Sequence, residues 1–472
     1  MLDRFFRLTE NQTNLRTELL AGLTTFLTMA YIIFVQPAVL SGSMFDMTTG
    51  LDFGAVTTAT CLAAALATAI MGLYARYPIA QAPGMGENFF FVFSLLPAAA
   101  AMIKAGDAVG TTTPWQIGLG VIFLSGALFL GLSLLGVREA LLAAVSPSMR
   151  HAIAGGIGLF IAFIGLHNAH VILADPGTAV KLNPNFLSPD VCVFFFGLLL
   201  TAGLHARGAR GAILWGILGS AALAVTLKLV LPHFDCPPLV AKSDLMTKFQ
   251  LATGVVAMPP SLAPTFCQMD LRNALSLTMM PFVLIFLFMN LFDTLGTLIG
   301  VTEQAGLVRG DTLPRLKQAL VSDAVGTVAG AALGTSTVVS FIESASGVAR
   351  GGRTGLTALV VAGLFLAALF FSPLIAMIGS YLPITAPALV VIGSLMIRGA
   401  VHIEWSNPAE TIPSFLILIG IPLTYSIADG LALGFLAYPV VKILAGQARD
   451  VKWLMYVVAG VLAAYFVFVR AG

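Results

Sequence analysis

The chain has 472 residues, of which 58% are apolar and only 10% charged, with a formal net charge of +2. Soluble proteins carry about 25% charged and about 45–50% apolar residues, so the composition excludes an ordinary soluble domain and predicts a membrane protein. The small net charge argues against a polyanionic partner such as nucleic acid. The apolar runs are continuous rather than alternating, which excludes a transmembrane β-barrel.

Apolar runs long enough to cross a bilayer, which takes about 20 residues, recur along the whole chain. The first follows a polar N-terminus and is too long for the core of a signal peptide, so we interpret it as an uncleaved span. A long polar stretch, 233–274, divides the runs into two sets of seven, and a last apolar run covers 452–469. The predicted spans are 18–40, 55–74, 84–99, 115–136, 148–167, 190–206 and 211–232, followed by 275–301, 317–333, 338–349, 354–372, 383–399, 410–427 and 429–446.

The distribution of Lys and Arg residues predicts how the chain is oriented in the membrane. With residues 1–17 in the cytoplasm, most of the 24 Lys and Arg residues fall inside, as the positive-inside rule requires. The predicted organisation is then a first repeat (18–232), an external loop (233–274), a second repeat (275–447) and a C-terminal apolar segment (448–472), which either crosses or lies along the interface. Short loops favour a bacterial inner membrane. In the external loop, Cys236 and Cys267 either form a disulfide or remain free thiols.

Two predicted spans have the wrong composition for continuous helices. The third begins with YPIAQAPGMGENFF, which is rich in Pro and Gly, and the tenth, GAALGTSTVVSFIESASGVARGG, is short and polar. Each is third in its set of seven. Paired interruptions at corresponding positions indicate a transporter site between inverted repeats, and an odd number of spans per repeat gives the repeats opposite orientations. Irregular backbone at this depth must be covered by protein or line a cavity.

Carboxyl groups inside spans are the main functional signal, because burying a charge at the bilayer centre costs at least about 2.5–3.5 kcal/mol. Asp293 lies in the eighth span, Glu343 in the tenth and Glu87 in the third. We interpret Asp293 and Glu343 as substrate acceptors and proton carriers. The alternative for each is a protonated or hydroxyl-capped carboxyl that serves helix packing. Glu87 either contacts the substrate or only complements the dipole of a half-helix.

Neighbouring polar and aromatic residues complete the candidate site. Asn88 is a candidate ligand, and Asn290, one turn before Asp293, either binds substrate or holds that carboxyl. Thr337 leads towards the tenth half-helix, whose first backbone N–H groups we expect to be free for a ligand; the alternative is that such hydroxyls cap their own helix. Phe89 either stacks on an aromatic ligand or belongs to the core.

No enzyme or metal motif is visible: the chain lacks an H-E-x-x-H pair, a G-x-S-x-G elbow and a Walker A run. We therefore expect no enzymatic activity, no cofactor and no metal. A membrane-embedded enzyme, a passive channel and an anion exchanger remain as alternatives, although two carboxyls in the site argue against an anion.

Four runs resemble one family. AGLTTFLTMAYIIFVQP, APGMGENFF, FDTLGTLIGV and STVVSFIESASGVARGGRTGLTALV are similar to signatures of the AzgA-like adenine/guanine/hypoxanthine permeases. These belong to the nucleobase–cation symporter (nucleobase–ascorbate transporter) superfamily, which also holds uracil and xanthine permeases. The resemblance covers nearly the whole chain in order. The family motif residues fall on Asn88, Asp293 and Glu343. Glu87 stands where the family usually has a small apolar residue, and Gln36 where it usually has Asn.

The resemblance implies an all-α, fourteen-span, seven-plus-seven inverted repeat whose third and tenth segments are each a short strand plus a half-helix. It implies a core domain (18–136 plus 275–372) that moves against a gate domain (147–232 plus 373–447). It also implies purine uptake driven by protons, with adenine, hypoxanthine and guanine as substrates and a uracil or xanthine permease as the alternative. The expected partners are the purine, protons and the lipid bilayer, with a monomer and a homodimer as the alternatives for oligomeric state.

Overall fold

The computed structural model describes residues 2–45, 47–135, 146–175, 177–233, 240, 243–305 and 315–464. Helices dominate, and four short strands accompany them. In the first half the helices are α1 (Leu2–Phe6), α2 (Leu15–Met29), α3 (Ile32–Leu40), α4 (Phe53–Ile70), α5 (Met85–Phe90), α6 (Leu96–Ala105), α7 (Pro114–Leu135), α8 (Pro147–Asn168), α9 (Pro189–Ala206) and α10 (Ala212–Val230). The strands there are β1 (Gln81–Pro83), β2 (Ile172–Asp175) and β3 (Ala179–Leu182).

The second half repeats this alternation of long and broken helices. Its helices are α11 (Asp244–Thr247), α12 (Leu271–Ala274), α13 (Met280–Gln304), α14 (Leu316–Leu333), α15 (Ser344–Ala349), α16 (Gly355–Ala368), α17 (Ser372–Gly379), α18 (Ala386–Met396), α19 (Pro408–Leu423), α20 (Ile427–Leu444) and α21 (Trp453–Ala464). One further strand, β4 (Val338–Ser340), precedes α15.

Eight helical stretches in the described part of the chain are long and apolar enough to cross a membrane. Three shorter apolar helices, Met280–Leu295, Ala386–His402 and Pro408–Leu423, accompany them. The chain is therefore a multi-pass helical membrane protein, as its composition predicts. The final predicted run, 452–469, begins with α21, which packs on α20, and its last five residues lie outside the described residues.

The first predicted span, 18–40, is not one continuous helix. It divides at Ala30–Tyr31 into α2 and α3. Just before the division, the Thr28 hydroxyl donates to the carbonyl of Thr25 at 2.7 Å and to that of Thr24 at 3.2 Å. Such bonds from a side chain to the preceding turn weaken and bend helices.

The helices pack in two sets. In one, α16 packs on α2 and α4, while α14 packs on α4 and α7 and α13 packs on α7. In the other, α8 packs on α18 and α19, α19 packs on α20, and α9 packs on α10 and α18. The first set carries the two interrupted segments: β1 lies against α4, and β4 lies against α13 and α14. The interruptions are therefore enclosed by long helices.

In its described part, the polar stretch after α10 forms hydrogen bonds with residues of α4, α7 and α14. The backbone N–H of Cys267 donates to the carbonyl of Ala332 at 2.7 Å, and that of Asp270 to the carbonyl of Gln116 at 2.9 Å. The Thr58 hydroxyl donates to the Pro260 carbonyl at 2.9 Å. Cys267 is a free thiol, and Cys236 lies outside the described residues.

Candidate functional site

The two interrupted segments cross as a two-stranded antiparallel sheet. Strands β1 and β4 pair with Gln81 opposite Ser340 and Pro83 opposite Val338, and both strands are fully buried. Two flanking bonds extend the pairing: the N–H of Phe341 donates to the Ala80 carbonyl at 2.9 Å, and that of Gly84 to the Thr337 carbonyl at 3.0 Å. Each segment thus satisfies the backbone groups of the other, which is what irregular backbone within a membrane requires.

Three predicted carboxyls meet at this crossing. Asp293, from α13, interacts electrostatically with both Glu87, from α5, and Glu343, which directly precedes α15. Glu87 is buried and Glu343 half-buried, whereas Asp293 is exposed although it lies in the middle of a long helix. The structure therefore brings Glu87, Asp293 and Glu343 together.

Tyr31 positions the Glu343 carboxyl. Its hydroxyl donates to Glu343 Oε1 at 2.9 Å, and the nearby Thr28 hydroxyl oxygen lies 3.4 Å from the Glu343 carbonyl oxygen. Both residues belong to the division between α2 and α3. The first span therefore reaches the tenth through a side-chain contact that the sequence pattern does not reveal.

Asn88 lies in a buried amide and hydroxyl network. Its Oδ1 accepts a bond from Gln36 Nε2 at 3.0 Å and another from the Ser336 hydroxyl, while its Nδ2 donates to Gln36 Oε1. Gln36 Nε2 also donates to the Thr335 hydroxyl at 3.0 Å. Gln36 thus joins the first span to both interrupted segments, and Asn88 faces these protein partners in this structure.

Two buried oxygen atoms of the crossing have no hydrogen-bond partner among the described residues. They are Glu87 Oε2 and Thr337 Oγ1. Gly84 leaves room for the Glu87 carboxyl, since a Cβ at Gly84 would come within 2.2 Å of Oε2. An unsatisfied buried polar group costs about 1–3 kcal/mol, so each atom is suited to a ligand that supplies the missing bond.

Other predicted residues are already engaged. The Asn290 amide donates to the Thr327 hydroxyl at 2.9 Å, so it points towards α14. Phe89 is fully buried, with its ring centroid 5.9 Å from that of Phe45 and 6.0 Å from that of Phe160. Their roles in binding stay predictions.

The expectation of free N–H groups at the tenth half-helix is wrong. Helix α15 begins only at Ser344, later than the sequence suggested, and Thr337 precedes β4 instead. The N–H groups of Ser344, Ala345 and Ser346 donate to the carbonyls three residues before them at 2.9–3.1 Å. These tight turns use the donors that an α-helical start would leave open.

Asp323 is a buried carboxyl that the sequence analysis missed. It lies in α14 and accepts bonds from Gln81 Nε2 and the Thr294 hydroxyl, and from the Ser340 hydroxyl at 3.2 Å. The predicted span 317–333 contains this residue, but it lies near the polar start of α14, LKQALVSD, and was not singled out. Its intramembrane position and the Thr327 one turn later were the available signals.

Residues 16–429 match the sequence pattern of the Permease family. The chain belongs to this family. A putative permease of Methanocaldococcus jannaschii is 44% identical over 99% of this chain and 98% of its own length. The guanine/hypoxanthine permease PbuG of Bacillus subtilis is 41% identical over 99% of each chain. The adenine permease AdeP of Escherichia coli is 39% identical over 100% of this chain and 97% of its own. The predicted family resemblance is confirmed, and the relatives are permeases, not enzymes.

Solved structures give the same fold at much lower identity. The transmembrane domain of the cyanobacterial bicarbonate transporter BicA has a TM-score of 0.58 at 14% identity, over 92% of this chain and 97% of that one. SLC26A9 has a TM-score of 0.61 at 10% identity, over 94% of this chain and 68% of that one. The permease thus has the helical membrane fold of these transporters.

Proposed function

We propose that this permease is a proton-coupled symporter that imports purine nucleobases by alternating access. The full-length relatives named as guanine/hypoxanthine and adenine permeases support the substrate class. The observation that carries the proposal is the group of three carboxyls at the strand crossing, beside the unpartnered Glu87 Oε2 and Thr337 Oγ1.

A purine suits such a site because it is flat, with N–H donors and ring acceptors along its edge. A carboxylate accepts two parallel N–H groups in a bidentate contact. Glu343, oriented by Tyr31, is the proposed main ligand, with Asp293 as a second ligand or proton site, Asn88 and Asn290 completing the polar wall, and Thr337 as a hydroxyl contact. Glu87 is proposed as an additional acceptor, since its carboxyl interacts electrostatically with that of Asp293.

Proton coupling follows if the purine binds mainly one protonation state of Asp293 or Glu343. Binding of proton and purine then change each other's affinity by the same factor. Proximity of acidic groups supports this, because adjacent carboxylates resist simultaneous ionisation. The same negative charge disfavours the anion-transporter alternative.

The moving parts in this proposal are the two sets of packed helices. The set containing α2–α4, α7, α13, α14 and α16 corresponds to the core domain (18–136 plus 275–372), and the set containing α8–α10 and α18–α20 to the gate domain (147–232 plus 373–447). We propose fourteen spans in two inverted repeats, with a cytoplasmic N-terminus in the plasma membrane. The matching positions of β1–α5 and β4–α15 support the repeat.

The test is uptake of labelled adenine and hypoxanthine into cells expressing the chain, with and without a protonophore. We expect uptake to collapse with the protonophore and to be inhibited by guanine but not by uracil or sulfate. Glu343→Gln should abolish accumulation while inserting normally. Glu404→Gln, which changes an exposed carboxyl, is the matched control and should transport like the wild type. Accumulation by the Glu343→Gln variant would refute the site assignment, and inhibition by uracil or sulfate would refute the substrate class.

A further inference from the structure

A cavity lies where the chain after the first span meets the end of α8, and none of the three carboxyls lines it. It is enclosed by residues that follow the first span, including Met44 and Met47, and by the end of α8 with His167 and Asn168. Its volume is about 200 Å³. Pockets for drug-sized ligands measure roughly 300–1,000 Å³, so this cavity suits a smaller molecule. We call it the outer cavity.

Asn168 gives the outer cavity an unsatisfied donor. The residue is 7% exposed and lines the cavity, and its Nδ2 has no hydrogen-bond partner in the part of the chain that the structure describes. A buried amide without a partner costs about 1–3 kcal/mol. The cost is recovered when a ligand presents an acceptor, such as a ring nitrogen or an exocyclic oxygen.

The rim of the outer cavity adds charged groups of both signs. His170 Nε2 lies 3.9 Å from Asp244 Oδ2, which is also 3.3 Å from Lys248 Nζ. Asp190 fixes this rim, because it accepts bonds from the backbone N–H groups of Asp244 and Leu245 at 3.1 and 3.0 Å. A balanced set of donors and acceptors recognises an uncharged polar molecule better than an anion, which the Asp244 carboxylate would repel.

Aromatic rings form one wall of the outer cavity. Phe45, Phe93 and Tyr425 line the cavity, and the Phe93 ring centroid lies 4.6 Å from that of Phe45 and 5.2 Å from that of Tyr425. The same cluster includes Phe89, the residue after Asn88, whose centroid is 5.9 Å from that of Phe45. The aromatic cluster therefore connects the lining of the outer cavity to α5, the helix that carries Asn88.

We propose that the outer cavity is a second nucleobase subsite, which holds a base before the aromatic cluster opens towards the strand crossing. This inference rests on the proposed function. The aromatic wall offers a flat apolar surface for the ring, while Asn168, His170 and Asp244 meet its polar edge. The small volume favours a free base over a nucleoside.

Equilibrium binding of labelled hypoxanthine to the purified full chain tests the subsite. The wild type should bind two molecules per chain with different affinities. Asn168→Leu removes the amide with little change in volume and should leave one. Glu343→Gln should also leave one, and the double variant none. Asn185→Leu, an exposed asparagine on the same face, is the matched control and should keep both.

A second variant tests the subsite independently, in case Asn168→Leu does not fold. Met47 is 38% exposed at the cavity, so Met47→Trp should fill the space without disturbing the core, and should also leave one bound molecule. In uptake, Asn168→Leu should raise KM about two- to tenfold, the range expected for one lost hydrogen bond, with kcat unchanged. Met47→Trp should also raise KM, because it fills the space that the base would occupy. A wild type that transports but binds one hypoxanthine, or outer variants that keep two, would overturn the subsite alone. A wild type that neither binds nor transports any base would overturn the proposed function and the subsite with it.

Discussion

The Tyr31 hydroxyl donates a 2.9 Å hydrogen bond to the carboxylate of Glu343. This bond connects the division of the first span to the residue immediately before the tenth half-helix. The bond engages Oε1, and no other described side chain donates a hydrogen bond to this carboxylate. The bond therefore orients the acidic group without occupying it, which is the arrangement that a substrate-binding carboxylate needs.

Replacing Tyr31 by Phe removes this donor and leaves the ring in place. A hydrogen bond to a charged group contributes about 1.5–3 kcal/mol, so we expect the KM for purine uptake to rise roughly tenfold or more. Uptake kinetics in cells with matched surface expression check this. Tyr74→Phe, at an exposed tyrosine 53% accessible, is the control and should behave like the wild type. Unchanged kinetics in Tyr31→Phe would mean that Glu343 is oriented by other contacts.

Hydropathy and local composition correctly predicted a multi-pass helical membrane protein, because membrane spans depend on length and apolarity. The two interrupted segments were found from Pro and Gly, and the structure forms β1–α5 and β4–α15 there. Composition did not reveal the division at Ala30–Tyr31, since it depends on Thr28 bonding to its own helix. Composition placed Asp323 inside the predicted span 317–333, but it did not reveal that three other segments donate to this carboxyl.

The sequence analysis predicted the acidic residues of the candidate site, but not the residues that hydrogen-bond to the site and hold it in place. Glu87, Asp293 and Glu343 stand out because a carboxyl in an apolar run is costly. Gln36 and Tyr31 do not, since an amide or a phenol within a span has many packing roles. Their partners, Asn88 and Glu343, lie 52 and 312 positions away in sequence, so only the folded chain brings them together.

Asp323 is expected to be required for transport because it joins three segments of the site. It accepts from Gln81 in the third, Thr294 in the eighth and Ser340 in the tenth. Asp323→Asn replaces one carboxylate oxygen, which accepts hydrogen bonds, by an NH2 group, which donates them. That NH2 group then faces at least one of the three donors and cannot accept its hydrogen bond. We expect uptake below about a tenth of the wild-type rate with normal insertion, since each lost bond costs about 1.5–3 kcal/mol.

The matched control for Asp323 is Asp175→Asn, which changes a carboxyl in the exposed hairpin, where it pairs with Lys181 at 2.5 Å. This variant should transport normally, because the ion pair is far from the crossing and surface pairs contribute little. Uptake rates measured alongside surface biotinylation separate transport from insertion. Wild-type transport by Asp323→Asn would show that hydroxyl rotation alone can repair the network.

Because Glu410 and Lys442 form a buried ion pair, we expect substitutions at the two residues to have strongly non-additive effects on the free energy of unfolding. Lys442 Nζ lies 2.9 Å from Glu410 Oε1, and the two residues are 4% and 7% exposed. The Ser146 hydroxyl donates to Glu410 Oε2 at 2.6 Å and the Tyr438 hydroxyl to Oε1 at 3.1 Å. Lys442→Met leaves a buried carboxylate without its cation, so we expect a loss of about 3–5 kcal/mol.

The double variant Glu410→Gln/Lys442→Met supplies the matched comparison for this pair. It removes both charges, while the amide oxygen still accepts from Ser146 or Tyr438, so it should recover at least half of the lost stability. Thermal unfolding of the detergent-purified proteins measures the cycle. If the losses of stability from the two substitutions simply add in the double variant, the two charges do not interact.

Gly355 is predicted to be irreplaceable for packing, whereas Gly363 in the same helix is not. A Cβ at Gly355 would lie 1.9 Å from the carbonyl oxygen of Gly72, which is backbone and has little freedom to move. Around Gly363 no atom lies within 4 Å of such a Cβ among the described residues. Gly355→Ala should therefore cost at least about 1–3 kcal/mol through overpacking, and Gly363→Ala should gain up to about 1 kcal/mol from helix propensity. Melting temperatures of the two variants in detergent compare them directly. Equal melting temperatures would mean that α16 does not approach Gly72 this closely.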